Sequence, residues 1–251
     1  MTDAANTGQS GASIASNTKY FLEHLQEYER SVGEIDTYRT IHDFISKKVS
    51  GVTELLDVGN GGVFAYDTSN VGEITALDLF LGDLPPAVIE KYFPKNARPL
   101  PGSALDIPMP SGKYEMVLMV MLLHHLTGTD WRSSWNNARR AIDEAWRVLR
   151  PGGNLLIVES CVPNWILTIE KPALWILSRL VRTVLSHPIT FQFTASMIAD
   201  ELRRKTDLVE VVSIPKGKFV LQLGFKTPSF LTPVRVYGIK ATKDTEPQGR
   251  R

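Results

Sequence analysis

The stretch Leu55-Leu56-Asp57-Val58-Gly59-Asn60-Gly61-Gly62 decides how the rest of the chain is read. A short apolar run predicts a buried strand over 53–58, and the glycines that follow end it. Glycine carries no Cβ, so its backbone can come close to a ligand. A second apolar run, 73–77, ends at Asp78, 19 residues after Gly59. Strand, glycine turn and an acidic residue about 20 positions on form a nucleotide-site pattern, in which the carboxylate takes both ribose hydroxyls. The alternative is a tight strand-to-helix turn that holds nothing. Counting from Gly59, the sixth position is Phe64, which departs from the dinucleotide fingerprint. No Gly-Lys-Ser/Thr is present, which excludes a P-loop.

Around this turn, apolar runs alternate with helical patterns. Two helices are expected first: Phe21, Leu25, Tyr28 and Val32 share a face, then Tyr38, Ile41 and Ile45, with Gly51 as a stop. A short helix is expected over 63–69. Asp83 is placed to cap a helix that opens at Pro85-Pro86 and buries Val88, Ile89 and Tyr92. A third strand over 98–100 is weakened by flanking prolines; a fourth over 114–120 is strong. Asp130 is the N-cap expected for the clearest helix, whose stripe is Trp131, Trp135, Ala138, Ile142, Ala145, Trp146 and Leu149 and which stops at Pro151-Gly152-Gly153. A fifth strand, 155–158, ends at Glu159. A helix capped by Thr194 over 194–204 and strands over 208–214 and 234–241 complete the pattern. Strands one to five are nearly unbroken apolar runs, as parallel strands buried on both faces are. The reading is a doubly wound, Rossmann-like α/β fold, with one domain over 18–242 between polar tails at 1–17 and 243–251.

Composition narrows the function. A net charge of +1 over 251 residues, with no basic stretch of five, speaks against nucleic acid as a partner. One cysteine, Cys161, cannot close an intramolecular disulfide or build a thiolate zinc site, so no metal is expected and a reducing compartment fits best. Cys161 itself reads as a small buried hydrophobe. The N-terminus lacks the pattern of a secretory signal, and the apolar stretch 165–185 is broken by Glu170, Lys171, Pro172, Arg179 and Arg182, so a cytoplasmic protein is expected.

The stretch 55–62 resembles the first motif of the class I S-adenosylmethionine-dependent methyltransferases, small-molecule type. Four further stretches resemble that family in the same order: Ala76-Leu77-Asp78-Leu79; 102–110, containing Leu105-Asp106-Ile107; 114–126, ending Leu123-His124-His125-Leu126; and Trp146-Arg147-Val148-Leu149-Arg150-Pro151-Gly152-Gly153. The likeness is strong over about 50–160. One departure is that the family's third glycine falls at Val63, with Gly62 one place early. The resemblance implies a seven-stranded, mostly parallel sheet whose last strand is antiparallel. It implies S-adenosylmethionine as methyl donor and S-adenosylhomocysteine as product. Asp57, Gly59, Asn60 and Gly61 would then hold the methionine end, Asp78 and Leu79 the ribose, Leu105, Asp106 and Ile107 the adenine, with Met119 also at the cofactor.

Methyl transfer from a sulfonium is helped chiefly by alignment, and a base is needed when the acceptor must lose a proton. His124 and His125 are the candidate bases, since imidazole titrates near neutrality; the alternative for each is a strand-end or packing role. Glu159 is a second candidate. The Asn/Asp-Pro-Pro-Tyr/Phe motif of base-amine methyltransferases is missing, and 119–122 stands in its place.

Residues 161–193 read as a helical insertion after the fifth strand. It is a packed helix or dimer partner, a lid over an apolar acceptor pocket, or a membrane-surface contact. Tyr20, Phe21, Trp165 and Phe191 are candidates for contacts with a small-molecule acceptor. The apolar connection 216–233 is expected to be partly buried or in an interface, which leaves a homodimer open. The rival functions are methylation of RNA or protein, a non-catalytic module that kept the fold, and a dehydrogenase.

Overall fold

The computed structural model describes residue 23 and residues 36–165, 191–222 and 225–245. The expected first helix, both extreme tails and most of the insertion lie outside them, as do Tyr20 and Phe21.

Strand β1 (Glu54–Val58) pairs in parallel with β2 (Glu73–Asp78) on one side and β4 (Tyr114–Val120) on the other. β3 (Ala97–Pro101) extends the sheet beyond β2, and β5 (Leu149–Cys161) beyond β4. β9 (Arg235–Thr242) runs antiparallel between β5 and β6 (Val209–Ile214). The seven-stranded order is therefore β3-β2-β1-β4-β5-β9-β6. The prolines that weaken the third strand in sequence are tolerated because β3 is an edge strand, where a missing N–H leaves no ladder bond unmade.

Alternate residues of the central strands feed two cores. Leu56, Val58, Val117, Met119, Leu155 and Ile157 face α3 (Trp131–Val148) and α4 (Ala195–Arg203). Leu55, Met116, Leu118, Leu156 and Val158 face α1 (Asp36–Val49), which buries Ile41, Ile45 and Val49. Covering both faces is what permits apolar residues at consecutive positions of β1 and β4. The α3 start is a capping box: Asp130 Oδ1 accepts from the Ser133 N–H (2.7 Å) and Ser133 Oγ from the Asp130 N–H (2.9 Å). Thr194 Oγ1 caps α4 through the Met197 N–H. Cys161 is buried.

Several expectations are corrected. Helix α2 (Pro86–Tyr92) has Pro85, not Asp83, at its N-cap, and its apolar residues are only partly buried against Leu81 and Leu84. Helix α3 ends at Val148 and β5 starts at once, before the Pro-Gly-Gly turn. Residues 63–69 form no helix: Tyr66 is drawn inward, and Asp67 turns the chain by accepting from the Ser69 N–H. The connection 216–233 contains a separate hairpin, β7 (Phe219–Gln222) and β8 (Phe225–Pro228), and then exposed Phe230 and Leu231. Lys243 and Asp244, expected in the tail, are instead tied to the domain. Lys243 Nζ donates to the carbonyls of Trp146 and Leu149, and Thr206 Oγ1 donates to Asp244.

Candidate active site

The carboxyl ends of β1, β2, β4 and β5 converge on one rim of the sheet, the place where open α/β sheets bind ligands. After β1 the chain turns through Gly59, Gly61 and Gly62, all with positive φ (73°, 61° and 83°). The turn is held from beneath. Asn60 Nδ2 donates to Asp57 Oδ2 (2.6 Å) and to the Val63 carbonyl (3.0 Å), and Asn60 Oδ1 accepts from the Gly62 N–H (2.8 Å). Tyr66, whose place in the site has no local sequence signal, donates its hydroxyl to Asp57 Oδ2 (3.0 Å). Asp57 is 3% exposed. Burial pushes its carboxyl up to about 7, against the hydrogen bonds from Asn60 and Tyr66, and the nearby Asp78 charge adds to the rise. Asp57 and Asn60 thus shape the turn from within.

Asp78, at the end of β2, is half-buried. Its Oδ2 accepts from the Gly61 N–H (3.0 Å) and its Oδ1 from the Phe80 N–H (3.1 Å). The carboxylate and the glycine turn are therefore locked together, 17 residues apart in sequence. Leu79 is exposed beside them. A Cβ on Gly61 would meet nothing within 4 Å, so the outer side of the turn is open backbone that a ligand can approach. A Cβ on Gly59 would come within 2.4 Å of Leu122 Cδ1, so this glycine lets the β4 loop press against the turn.

The loop after β3 carries Leu105, Asp106 and Ile107. Asp106 is exposed, Leu105 half-buried and Ile107 buried. An unforeseen clamp from α3 holds this loop. Arg147 pairs with Glu144 (Nη2–Oε2 2.7 Å) and donates to the carbonyls of Ile107 and Met109 (2.8 Å each), while the Ile107 N–H donates to Glu144 Oε2 (2.9 Å). Met119 is fully buried in the core beneath the rim, with no exposed surface to offer a cofactor.

After β4, Met121 adopts φ 50°, an uncommon conformation for a residue with a side chain, fixed by its N–H bond to the Val158 carbonyl (2.8 Å). A single 3-10 turn, Leu123–His125, follows. It brings His124 Nδ1 to 2.6 Å from Oε1 of Glu159, at the end of β5. Glu159 is fully buried, and its carboxylate also accepts from the N–H groups of Leu123 (2.8 Å) and Ser160 (2.8 Å). Burial pushes the Glu159 carboxyl up, but His124 and these two N–H groups outweigh it and hold the group below its ordinary value. Burial likewise lowers the His124 imidazole, and Glu159 more than offsets it, raising His124 above its usual range. The His125 ring lies 4.1 Å from that of His124.

Of the residues expected at the acceptor, Phe191 is buried in the core, tied to the His124 carbonyl only by its N–H (3.3 Å). Trp165 is exposed. These two are not brought together around a pocket by the described residues.

A methyltransferase domain family model matches residues 56–157, from β1 through β5. No curated protein matches the chain. Among solved structures, 1,6-didemethyltoxoflavin-N1-methyltransferase of Burkholderia thailandensis, with bound 1,6-didemethyltoxoflavin and S-adenosylhomocysteine, is similar at 14% identity and TM-score 0.56, covering 97% of this chain and 93% of that one. A geranyl diphosphate methyltransferase in complex with its diphosphate and sinefungin is similar at 14% identity and TM-score 0.55, covering 80% and 76%. The [4+2]-cyclase SpnF is similar at 14% identity and TM-score 0.58, covering 82% and 80%. At such identities the structural likeness speaks for the fold. With the family match over the site-bearing strands, residues 56–157 carry a methyltransferase domain. The open glycine turn, with the Asp78 carboxylate bonded to its Gly61 N–H, fits the S-adenosylmethionine that the sequence resemblance implies.

Proposed function

We propose that the enzyme methylates a small, largely apolar or aromatic molecule, and that His124 removes the acceptor's proton. The observation that carries this reading is the buried His124–Glu159 pair, 2.6 Å apart, on the loop whose Leu122 packs against Gly59 of the cofactor turn. In this reading Gly59, Asn60 and Gly61, shaped by Asp57, hold the methionine end. Asp78 and Leu79 take the ribose, and Leu105, Asp106 and Ile107 the adenine, with the Arg147–Glu144 clamp keeping that loop in place. S-adenosylmethionine supplies a methyl group on a positively charged sulfur, which leaves as the neutral thioether of S-adenosylhomocysteine.

Glu159 engages Nδ1 of His124, so Nε2 is the atom left to take a proton. Proton removal makes an imidazolium, and Glu159 stabilises that charge without itself accepting the proton. Burial keeps the pair out of competing water and strengthens the attraction. A net charge of +1 and the absence of a basic run of five favour a small acceptor over RNA. The similar 1,6-didemethyltoxoflavin and geranyl diphosphate methyltransferases, whose complexes hold small molecules, support the same choice.

The test is release of S-adenosylhomocysteine from S-adenosylmethionine across a panel of phenols, apolar alcohols and amines, beside total RNA and protein. Turnover with a small acceptor that His124→Ala abolishes supports the proposal. Turnover with RNA or protein alone contradicts it, and cofactor binding without turnover on any acceptor marks a non-catalytic module.

A further inference from the structure

Beside the dyad lies a polar group that the methyl-transfer chemistry leaves unused. Between Phe191 and Phe193, both turned into the core, Gln192 reaches Ser160, with Nε2 donating to Ser160 Oγ at 3.5 Å. Ser160 Oγ in turn donates to Glu159 Oε1 at 3.4 Å. The direction of this chain is fixed by its end: an ionised carboxylate only accepts, so Ser160 must give its proton to Glu159 and receive from an N–H. Gln192 therefore presents its amide nitrogen to Ser160 and turns its carbonyl oxygen away. Among the described residues that oxygen, Gln192 Oε1, is enclosed and receives no hydrogen bond.

A buried acceptor without a donor is costly and uncommon. Another such atom, Tyr114 Oη, belongs to the residue that opens β4, at the opposite end of that strand from the site. Gln192 is linked to the dyad twice, through Ser160 and through the Phe191 N–H bond to the His124 carbonyl. The neighbouring carboxylate disfavours an anion here and favours a neutral O–H or N–H donor.

We infer that Gln192 binds the methyl acceptor, its carbonyl oxygen taking a hydrogen bond from a second donor next to the group that is methylated. The inference rests on the proposed methylation of a small acceptor and names its class: a molecule with two adjacent donors, such as vicinal hydroxyls, on an apolar body. One of them meets His124 and the other meets Gln192.

Calorimetric titration of 4-butylcatechol and 4-butylphenol into the S-adenosylhomocysteine complex tests this. The wild type binds the diol at least about tenfold more tightly than the phenol, as a site built around a hydroxyl discriminates against an analogue lacking it. Gln192→Leu binds the two alike. Without ligand, Gln192→Leu melts at or above the wild-type temperature, because it removes an unsatisfied oxygen. A drop of more than about 5 °C makes the amide a structural group and overturns the inference. Equal binding by the wild type, or no binding of the diol, overturns it too. Methyl transfer itself is judged separately, by S-adenosylhomocysteine release with the other acceptors.

Discussion

Two carboxylates sit at strand ends on the same rim, Asp57 after β1 and Glu159 after β5, and both are almost wholly buried. Burial alone would push both up, yet they move in opposite directions. Asp57 has only neutral donors, Asn60 and Tyr66, and a like charge nearby in Asp78. Glu159 has an imidazole and two backbone N–H groups. The charge of the partner decides between the two outcomes. One carboxyl becomes a near-neutral brace under the glycine turn, and the other a fixed anion against the His124 imidazole.

The comparison breaks most visibly at His124. His124→Ala removes both the proposed proton acceptor and the imidazole that faces Glu159. Its turnover, followed as S-adenosylhomocysteine release, is expected to fall by about 10²–10⁴-fold. An unchanged rate contradicts the assigned base.

Asp57 gives the next largest effect, through pH. An acid whose folded pKa is raised adds stability that is full below its unfolded value of 3.8 and is lost as pH rises through about 7. Denaturant unfolding of wild type against Asp57→Asn should show the wild type losing about 2 kcal/mol relative to the variant between pH 5 and 7, then levelling. Glu159 runs the other way: its contribution is present above 4.5 and lost as pH falls through its lowered folded value. A flat difference across pH 5–7 would mean that Asp57 is ionised like an ordinary carboxylate.

Asp78→Ala leaves the Gly61 and Phe80 N–H groups without their acceptor. S-adenosylhomocysteine binding should weaken by about 1.5 kcal/mol or more, roughly tenfold in Kd, by calorimetry. Equal affinity in the folded variant defeats the ribose assignment. The smallest expected effect is at the clamp. Arg147→Met frees the Ile107 and Met109 carbonyls and should weaken binding about fivefold, near 1 kcal/mol, with Arg147→Lys intermediate because lysine lacks the planar fork. Identical affinity across the three would show that the loop needs no clamp.

What the sequence made legible follows from locality. The β1 turn and Asp78 are recognisable because strand, glycines and acid recur at a fixed spacing that the parallel β1–β2 pairing imposes. The Asp130 and Thr194 caps are equally local. By contrast, His124 and Glu159 stand out separately, but their pairing across 35 residues depends on the β4–β5 register and on the Met121 backbone turn. The hold of Arg147 on residues 38 and 40 positions away, and that of Tyr66 on Asp57, carry no periodicity at all. The expected helix over 63–69 fails for the same reason, since a tertiary bond from Tyr66 outweighs local preference.

The central claim is that Glu159 holds His124 as a base of raised pKa. ¹⁵N NMR of the His124 imidazole, titrated in wild type and in Glu159→Gln, reads this without any acceptor. The account predicts a wild-type midpoint above 6.5 with the neutral ring protonated on Nδ1, and a midpoint below 6.5 in the variant, where burial acts alone. A wild-type midpoint at or below 6.5, or one that Glu159→Gln leaves unmoved, would contradict it.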